Sequence, residues 1–357
     1  MRISNYFLLS ILFFFASLKG TFIDLEEAML DSFVLETTKI EIPEYPNAFN
    51  PSIIRWKQGF LMSFRSGNYT YDSYLLSFRT RDPASGSTNG ICLILLDTDF
   101  KPISAPQELE IPHDNPAFAH RQQDPRLISI KNHTYIVYSN MIEGAHVPEI
   151  RRMFIAELHY DGVQFFTGRA DCITHFEGQT ESRWQKNWVP FEYQGHLMLS
   201  YSINPHKVFY PYSGTGACKL ISISEGKISW EWGVLRGGTQ AFIEGSEYLA
   251  FFHSSKEMKS AHSKGKKLQH YFMGAYTFES EPPFKVTKIS PKPIVGKNFY
   301  HGELHATWKP LHVVFPCGYV SDKNYFYIAY GRQDHEIWIA TLDKTALMQS
   351  LVPVESD

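Results

Sequence analysis

An aspartate stands in the run Arg121-Gln122-Gln123-Asp124-Pro125-Arg126, ahead of an apolar, strand-like stretch, Thr134–Ser139. A carboxylate beside guanidinium groups is held ionised or made to deliver a proton according to its burial and the charges that reach it. Other groups able to hold a ligand recur at comparable junctions: Arg65, Arg126, Lys186 with Asn187, His206, Arg236, His253 and Asp334. Trp184, Trp188, Tyr201 and Tyr271 supply aromatic faces. Polar groups beside aromatic walls suit an uncharged, hydroxyl-rich ligand. Each residue also has a plainer reading. Asp-Pro is a common turn, Arg65 can pair with a surface carboxylate, and His253 ends an apolar strand where a histidine is usually structural. Asp334, in Gly331-Arg-Gln-Asp-His335, fits a hairpin turn. Their recurrence at equivalent places favours the functional reading.

The elements that must position these groups are strands. Five runs read as inner strands: Gly59–Phe64, Thr134–Ser139, His196–Ser202, Tyr248–Ser254 and Tyr325–Gly331. Each is followed by a second apolar run: Ile91–Asp97, Met153–Leu158, Lys219–Ser224, His270–Phe278 and Glu336–Leu342. Gly, Pro, Asn and Asp punctuate them, as in antiparallel sheet. Five such pairs predict an all-β fold, a five-bladed β-propeller with the polar junctions at its central mouth. A two-sheet sandwich would explain the alternation but not the repetition. Leu25–Glu36 has helical spacing and predicts a short surface helix, and Thr345–Leu351 a closing helical turn.

Composition narrows the class. The chain has 357 residues, a net charge of −3 and no basic stripe, so no nucleic-acid partner is expected. Arg2, the apolar run Tyr6–Leu18 and Gly20 have the layout of a secretory signal peptide, with an uncleaved anchor as the alternative. The expected organisation is therefore a signal segment over 1–20, an extension over 21–49, the propeller over 50–345 and a tail over 346–357. Export would be to a secreted or periplasmic location, with the mature chain starting near Thr21. Two glycosylation sequons begin at Asn68 and Asn132, and decide nothing about the source. Of four cysteines, Cys92 and Cys317 read as buried thiols, while Cys172 and Cys218 are candidates for one disulfide. No His/Asp/Cys group has metal-ligand spacing, so no metal or organic cofactor is expected.

Several segments resemble glycoside hydrolase family 130, the β-mannoside phosphorylases and β-1,2-mannosidases. They are Asn50-Pro-Ser-Ile-Ile with Gly59–Arg65, Gln123-Asp-Pro-Arg-Leu-Ile128, Lys186-Asn-Trp-Val-Pro-Phe191 and His270–Tyr276. Ser290–Ile294, Val313-Val-Phe-Pro-Cys-Gly318 and Tyr330–Asp334 complete the set, from about Asn50 to Leu342. The resemblance implies a five-bladed propeller and assigns Asp124 as the acid. Its proton would reach the leaving oxygen through a hydroxyl of the mannosyl ring while a nucleophile inverts the anomeric centre. Arg65 and His253 match phosphate-binding positions, and Asp334 matches a residue that holds the sugar. On this reading Asp124→Asn removes activity and spares folding.

The chain also departs from the family. Lys186 stands where phosphorylases carry an arginine, and Ile203-Asn204-Pro205 where they carry His-Arg-Pro. Arginine binds phosphate bidentately and lysine does not. Inorganic phosphate, the one co-substrate considered, is thus expected to be dispensable. An inverting hydrolase would need a second carboxylate about 6.5–9.5 Å from the acid, and Glu181 and Glu192 are the candidates. The expected partner is an oligosaccharide, with no membrane contact unless the N-terminal segment stays uncleaved as an anchor. The rival readings are a non-catalytic glycan-binding propeller and a mannosyltransferase using an activated sugar donor.

Overall fold

The computed structural model describes residues 22–67, 89–112, 121–143, 150–176, 184–305 and 309–355. The signal segment, the Asn68 sequon and Glu181 lie outside them. Among the described residues the strands assort into five sheets in a propeller-like, all-β arrangement. The first sheet holds Phe49–Trp56, Gly59–Gly67, Asn89–Leu96 and Gln107–Glu108, paired antiparallel in that order. The second runs Gln123–Ile130, His133–Glu143, Ile150–Tyr160, Asp171–Cys172, and the third Val189–Tyr193, His196–Ile203, His206–Tyr212, Ala217–Ser224. The fourth is built on Arg236–Gly237, Glu247–Met258, Leu268–Glu279 and Val286–Ile289, and the fifth on Val314–Ser321, Tyr325–Arg332 and Glu336–Asp343. Apolar side chains of neighbouring sheets fill the spaces between them; Ile53, Phe64 and Ile94 of the first meet Val320, Ala329 and Ile339 of the fifth.

All ten apolar runs are strands, but the inner assignment is one strand off. Phe49–Trp56, Gln123–Ile130, Val189–Tyr193 and Val314–Ser321 are the edge strands that pack toward one another at the centre. The runs expected to be inner come second in each sheet. The reason is chemical: the central strands carry Asn50-Pro51, Gln123-Asp124-Pro125, Pro190 and Pro316, which imitate loop composition. Proline lacks an N–H and is tolerated where one side of a strand has no ladder partner. The third sheet also holds the strand His206–Tyr212, which the sequence reading omitted between its two runs.

The N-terminal helix is shorter than expected. It spans Leu25–Met29, capped by Asp24, and Val34–Ile40 is a strand paired with Glu336–Asp343. β-Branched Val34, Thr37, Thr38 and Ile40 suit a pleated edge, and that pairing overrides the helical spacing. The extension thus completes the fifth sheet, and Val352–Pro353 joins the fourth after a helix over Lys344–Ser350. Among the described residues there is no disulfide, so Cys172 and Cys218 are not joined. Cys92 and Cys317 are buried, as expected, and burial pushes both thiols up to about 12.

Candidate active site

The central strands of the first two sheets break their ladders at the same place. Register shifts fall between Phe49 and Ser52 and between Gln123 and Arg126, so Asn50 and Asp124 each sit in a bulge before a proline. Both take a left-handed backbone, φ 50° and 54°, which short polar side chains tolerate best. A bulge re-aims the side chain it carries. Here the two converge: Asn50 Nδ2 donates to Asp124 Oδ1 at 2.9 Å.

Asp124 is 3% exposed and is gripped by cations. Arg65 Nη1 donates to Oδ1 at 2.9 Å, and Lys186 Nζ lies 3.6 Å from Oδ2 while bonding Gln123 Oε1 at 2.8 Å. The Arg65 guanidinium also lies over the Phe49 ring, 4.6 Å from its centroid. Fully buried Arg126 donates to the Asp124 carbonyl at 2.9 Å, to Asn187 Oδ1 at 3.3 Å and to the carbonyls of Gly237 and Gly238. Arg126 therefore braces the backbone beneath the carboxylate. Burial alone would raise the Asp124 pKa, but Lys186, Arg65, Arg126 and the Asn50 hydrogen bond outweigh it and hold the carboxyl well below the usual range. Asp124 is ionised at neutral pH.

The fourth and fifth sheets bring the rest. His253 pairs in register with Arg236, is buried, and lies between Phe315 at 4.3 Å and Tyr271 at 6.0 Å, centroid to centroid. Burial, aided by Arg236 and Arg126, pushes its pKa down to about 3, so the ring is neutral. Its Nδ1 has no hydrogen-bond partner among the described residues. Burial raises the Tyr271 phenol, reinforced by Asp334 and Asp124 and opposed by Arg236. Asp334 and Gln333 occupy the turn after Tyr325–Arg332 with positive φ.

The structure thus assembles Asp124, Arg65, Arg126, Lys186, Asn187, Arg236, His253, Tyr271 and Asp334. It does not assemble every expected residue. His206 is a structural histidine: Nε2 bonds Ser200 Oγ, Nδ1 bonds the Phe284 carbonyl, and burial pushes its pKa down to about 4. Asn204 is exposed in the hairpin after His196–Ile203 and donates to the Gly226 carbonyl at 3.1 Å. Trp188 is buried among Phe176, Tyr201 and Phe209, a core packing rather than a pocket wall. Trp184 is exposed beside Arg151. Glu192 sits at the far end of the Val189–Tyr193 strand from Lys186, accepting from Gly195 N–H, and is no partner for Asp124. A cavity of about 490 Å³ between the second and third sheets, lined by Tyr135, Arg169, Asp171 and Tyr210, holds none of the expected residues.

Asn50, Gln123 and Phe315 are the contributors that sequence reading missed. The signal for Asn50 was present, since Asn-Pro and Asp-Pro occupy matching places in consecutive repeats. Gly331 is a fourth, because a Cβ there would stand 2.2 Å from Asn50 Oδ1 and 2.8 Å from its backbone nitrogen. Gly331→Ala is therefore expected to push Asn50 off Asp124. Misplacement by about 1 Å costs on the order of 10²-fold in rate, and steady-state kinetics beside an unchanged circular dichroism spectrum would check it.

Residues 21–352 match the protein-family model described as β-1,4-mannooligosaccharide phosphorylase. Among curated proteins no match is found. Solved structures share the fold at low identity. The β-1,2-mannobiose phosphorylase of Listeria innocua, solved with β-1,2-mannobiose, is 15% identical over 90% of this chain and 94% of its own, with a TM-score of 0.57. MPT-4, a mannose phosphorylase of Leishmania mexicana solved with a phosphate ion, is 12% identical over 93% and 94%, TM-score 0.58. MPT-1, a GDP-Man-dependent mannosyltransferase of the same organism, is 10% identical over 93% and 97%, TM-score 0.58.

Proposed function

The chain belongs to glycoside hydrolase family 130, and from that premise we propose that it breaks β-linked mannosides by inverting transfer of the mannosyl group to inorganic phosphate. It is a carbohydrate-active enzyme of a family acting on mannosidic linkages. The five sheets are read as five blades around the Asp124 cluster, and the N-terminal segment as an export signal.

One observation carries the choice of acceptor. Arg65, Arg126 and Lys186 surround Asp124 and Arg236 pairs with His253 beside it, so among these described residues the cations outnumber the carboxylates Asp124 and Asp334. A neutral sugar and water leave that excess uncompensated, whereas a phosphate dianion matches it. An anion beside Asp124 would also offset the charges that depress its pKa, restoring its capacity to hold a proton. A phosphate oxygen then bonds the anomeric carbon as the glycosidic C–O bond breaks. The Asp124 proton passes through a mannosyl hydroxyl to the leaving oxygen. In reverse, ionised Asp124 takes that proton back, so synthesis starts from the resting state of the site.

This reading departs from the expectation that phosphate is dispensable. Lys186 keeps its charge in the cluster, and Arg236, assigned to sugar binding in the sequence, stands beside His253. The test is product analysis of manno-oligosaccharides incubated with and without about millimolar phosphate, a typical KM range. Mannose 1-phosphate formed only with phosphate is expected. Free mannose at equal rates in both would sink phosphorolysis, and no turnover of any β-mannoside would favour a glycan-binding role.

A further inference from the structure

At the opposite ends of the strands from Asp124, the second and third sheets leave the cleft of about 490 Å³ described above. Strand direction places it there. Asp124 stands at the start of the strand Gln123–Ile130, and Lys131 follows its end, roughly 20 Å further along an extended chain. Gly195 lines the cleft and sits against Lys131, since a Cβ on it would stand 2.2 Å from Lys131 Nζ. The cleft is therefore separate from the Asp124 cluster. Glycine keeps it open: Gly168 and Gly214 also line it, and a Cβ on either would meet nothing within 4 Å.

Both walls carry groups set for a ligand. From the second sheet, Tyr135 and Glu157 are register partners on neighbouring strands, and both line the cleft. From the third come His196 and Tyr210, whose rings meet edge to face at 5.7 Å. Tyr212 braces Tyr210 in turn, ring to ring at 5.3 Å. The carboxylates are held as well. His133 Nδ1 lies 2.6 Å from Glu157 Oε1, and Asp171 Oδ2 accepts from the Gly214 N–H at 2.5 Å. Groups fixed in advance lose little freedom when a ligand arrives. Their chemistry selects that ligand. Aromatic faces offer apolar area to a sugar ring, while carboxylate, imidazole and phenol bond its hydroxyls. Among the lining residues two carboxylates, Glu157 and Asp171, stand against one guanidinium, Arg169, so an anion gains no net attraction.

We propose that this cleft is a second, non-catalytic binding site for a neutral oligosaccharide chain. A cavity of about 680 Å³ adjoins it and shares Arg169, Asp171 and Gly214, so the groove runs on and suits a chain over a monosaccharide. Its role is retention. A glycan held there keeps its free ends near the Asp124 mouth and raises their effective concentration. The choice of mannan as the glycan rests on the mannoside reading above; the site itself does not.

The test is electrophoresis in gels containing soluble β-1,4-glucomannan or β-1,2-mannan, one of which is expected to retard the protein. Tyr210→Ala and Glu157→Gln should each weaken that binding by about tenfold, the worth of one stacked ring or charge-assisted hydrogen bond. Both should turn over short manno-oligosaccharides at the wild-type rate, whereas Asp334→Ala should lose turnover and stay retarded. Retardation lost in Asp334→Ala and unchanged in both cleft variants would overturn the site, as would no retardation by either polymer. Turnover on the same samples tests the mannoside reading separately. A chain that is retarded but inert keeps the cleft and sinks that reading; one that turns over without retardation does the reverse.

Discussion

Asp124→Asn is expected to lower turnover by about 10²–10⁴-fold, the usual worth of a general acid or base. The same change should also destabilise the fold. Arg65 and Lys186 lose their counter-charge in a site where Asp124 is 3% exposed, and removing one partner of a buried pair costs about 3–5 kcal/mol. The sequence suggested that folding would be spared; the enclosure of Asp124 by cations is why it is not. The pH dependence carries the sign. A carboxyl with a depressed folded pKa stabilises the protein above its unfolded pKa, about 3.9, and that stability is lost as pH falls through the lower folded value. The wild-type advantage over Asp124→Asn in urea unfolding should thus be full at pH 7 and shrink as the pH is lowered from about 4. A variant that retains wild-type turnover removes Asp124 from the chemistry.

Lys186→Met should act on the acceptor and on the proton at once. Charge-assisted hydrogen bonds contribute about 1.5–3 kcal/mol each, so the KM for phosphate should rise about ten- to a hundredfold, with a much smaller change for the mannoside. Lys186 is also the strongest of the charges lowering Asp124. Its removal lets the Asp124 pKa rise. In the synthetic direction the reaction needs ionised Asp124, so its rate falls as pH drops through that pKa. In Lys186→Met that fall should begin at higher pH. A raised phosphate KM with an unmoved pH profile would place Lys186 at the phosphate but uncouple it from Asp124.

The outer part of each sheet was legible because its runs are apolar and rich in aromatic residues, as in Tyr248–Ser254, or in β-branched ones, as in Glu336–Leu342. The central strands were hidden by their polar and proline-containing composition. Gln123-Asp124-Pro125-Arg126 reads as a turn because strand propensity disfavours those residues, yet Gln123 and Arg126 pair with Ser139 and Val137 and carry the strand across the Asp124-Pro125 bulge. Asp124, Arg65 and His253 could be picked out by type and recurrence. His206 and Asn204 could not be separated from them, because orientation decides: His206 turns both ring nitrogens into the core, and Asn204 turns to Gly226.

The fifth sheet takes its last strand from the opposite end of the chain, with Val34 paired to Leu342. That contact closes a loop of about 300 residues, and loop-closure entropy must be met before the pairing returns any stability. The ring can shut only after nearly all of the polypeptide has emerged, so a nascent chain stays an open arc with its first strand unpaired. Loss of the Val34–Ile40 strand would leave Glu336–Asp343 as a bare edge, inviting pairing between molecules.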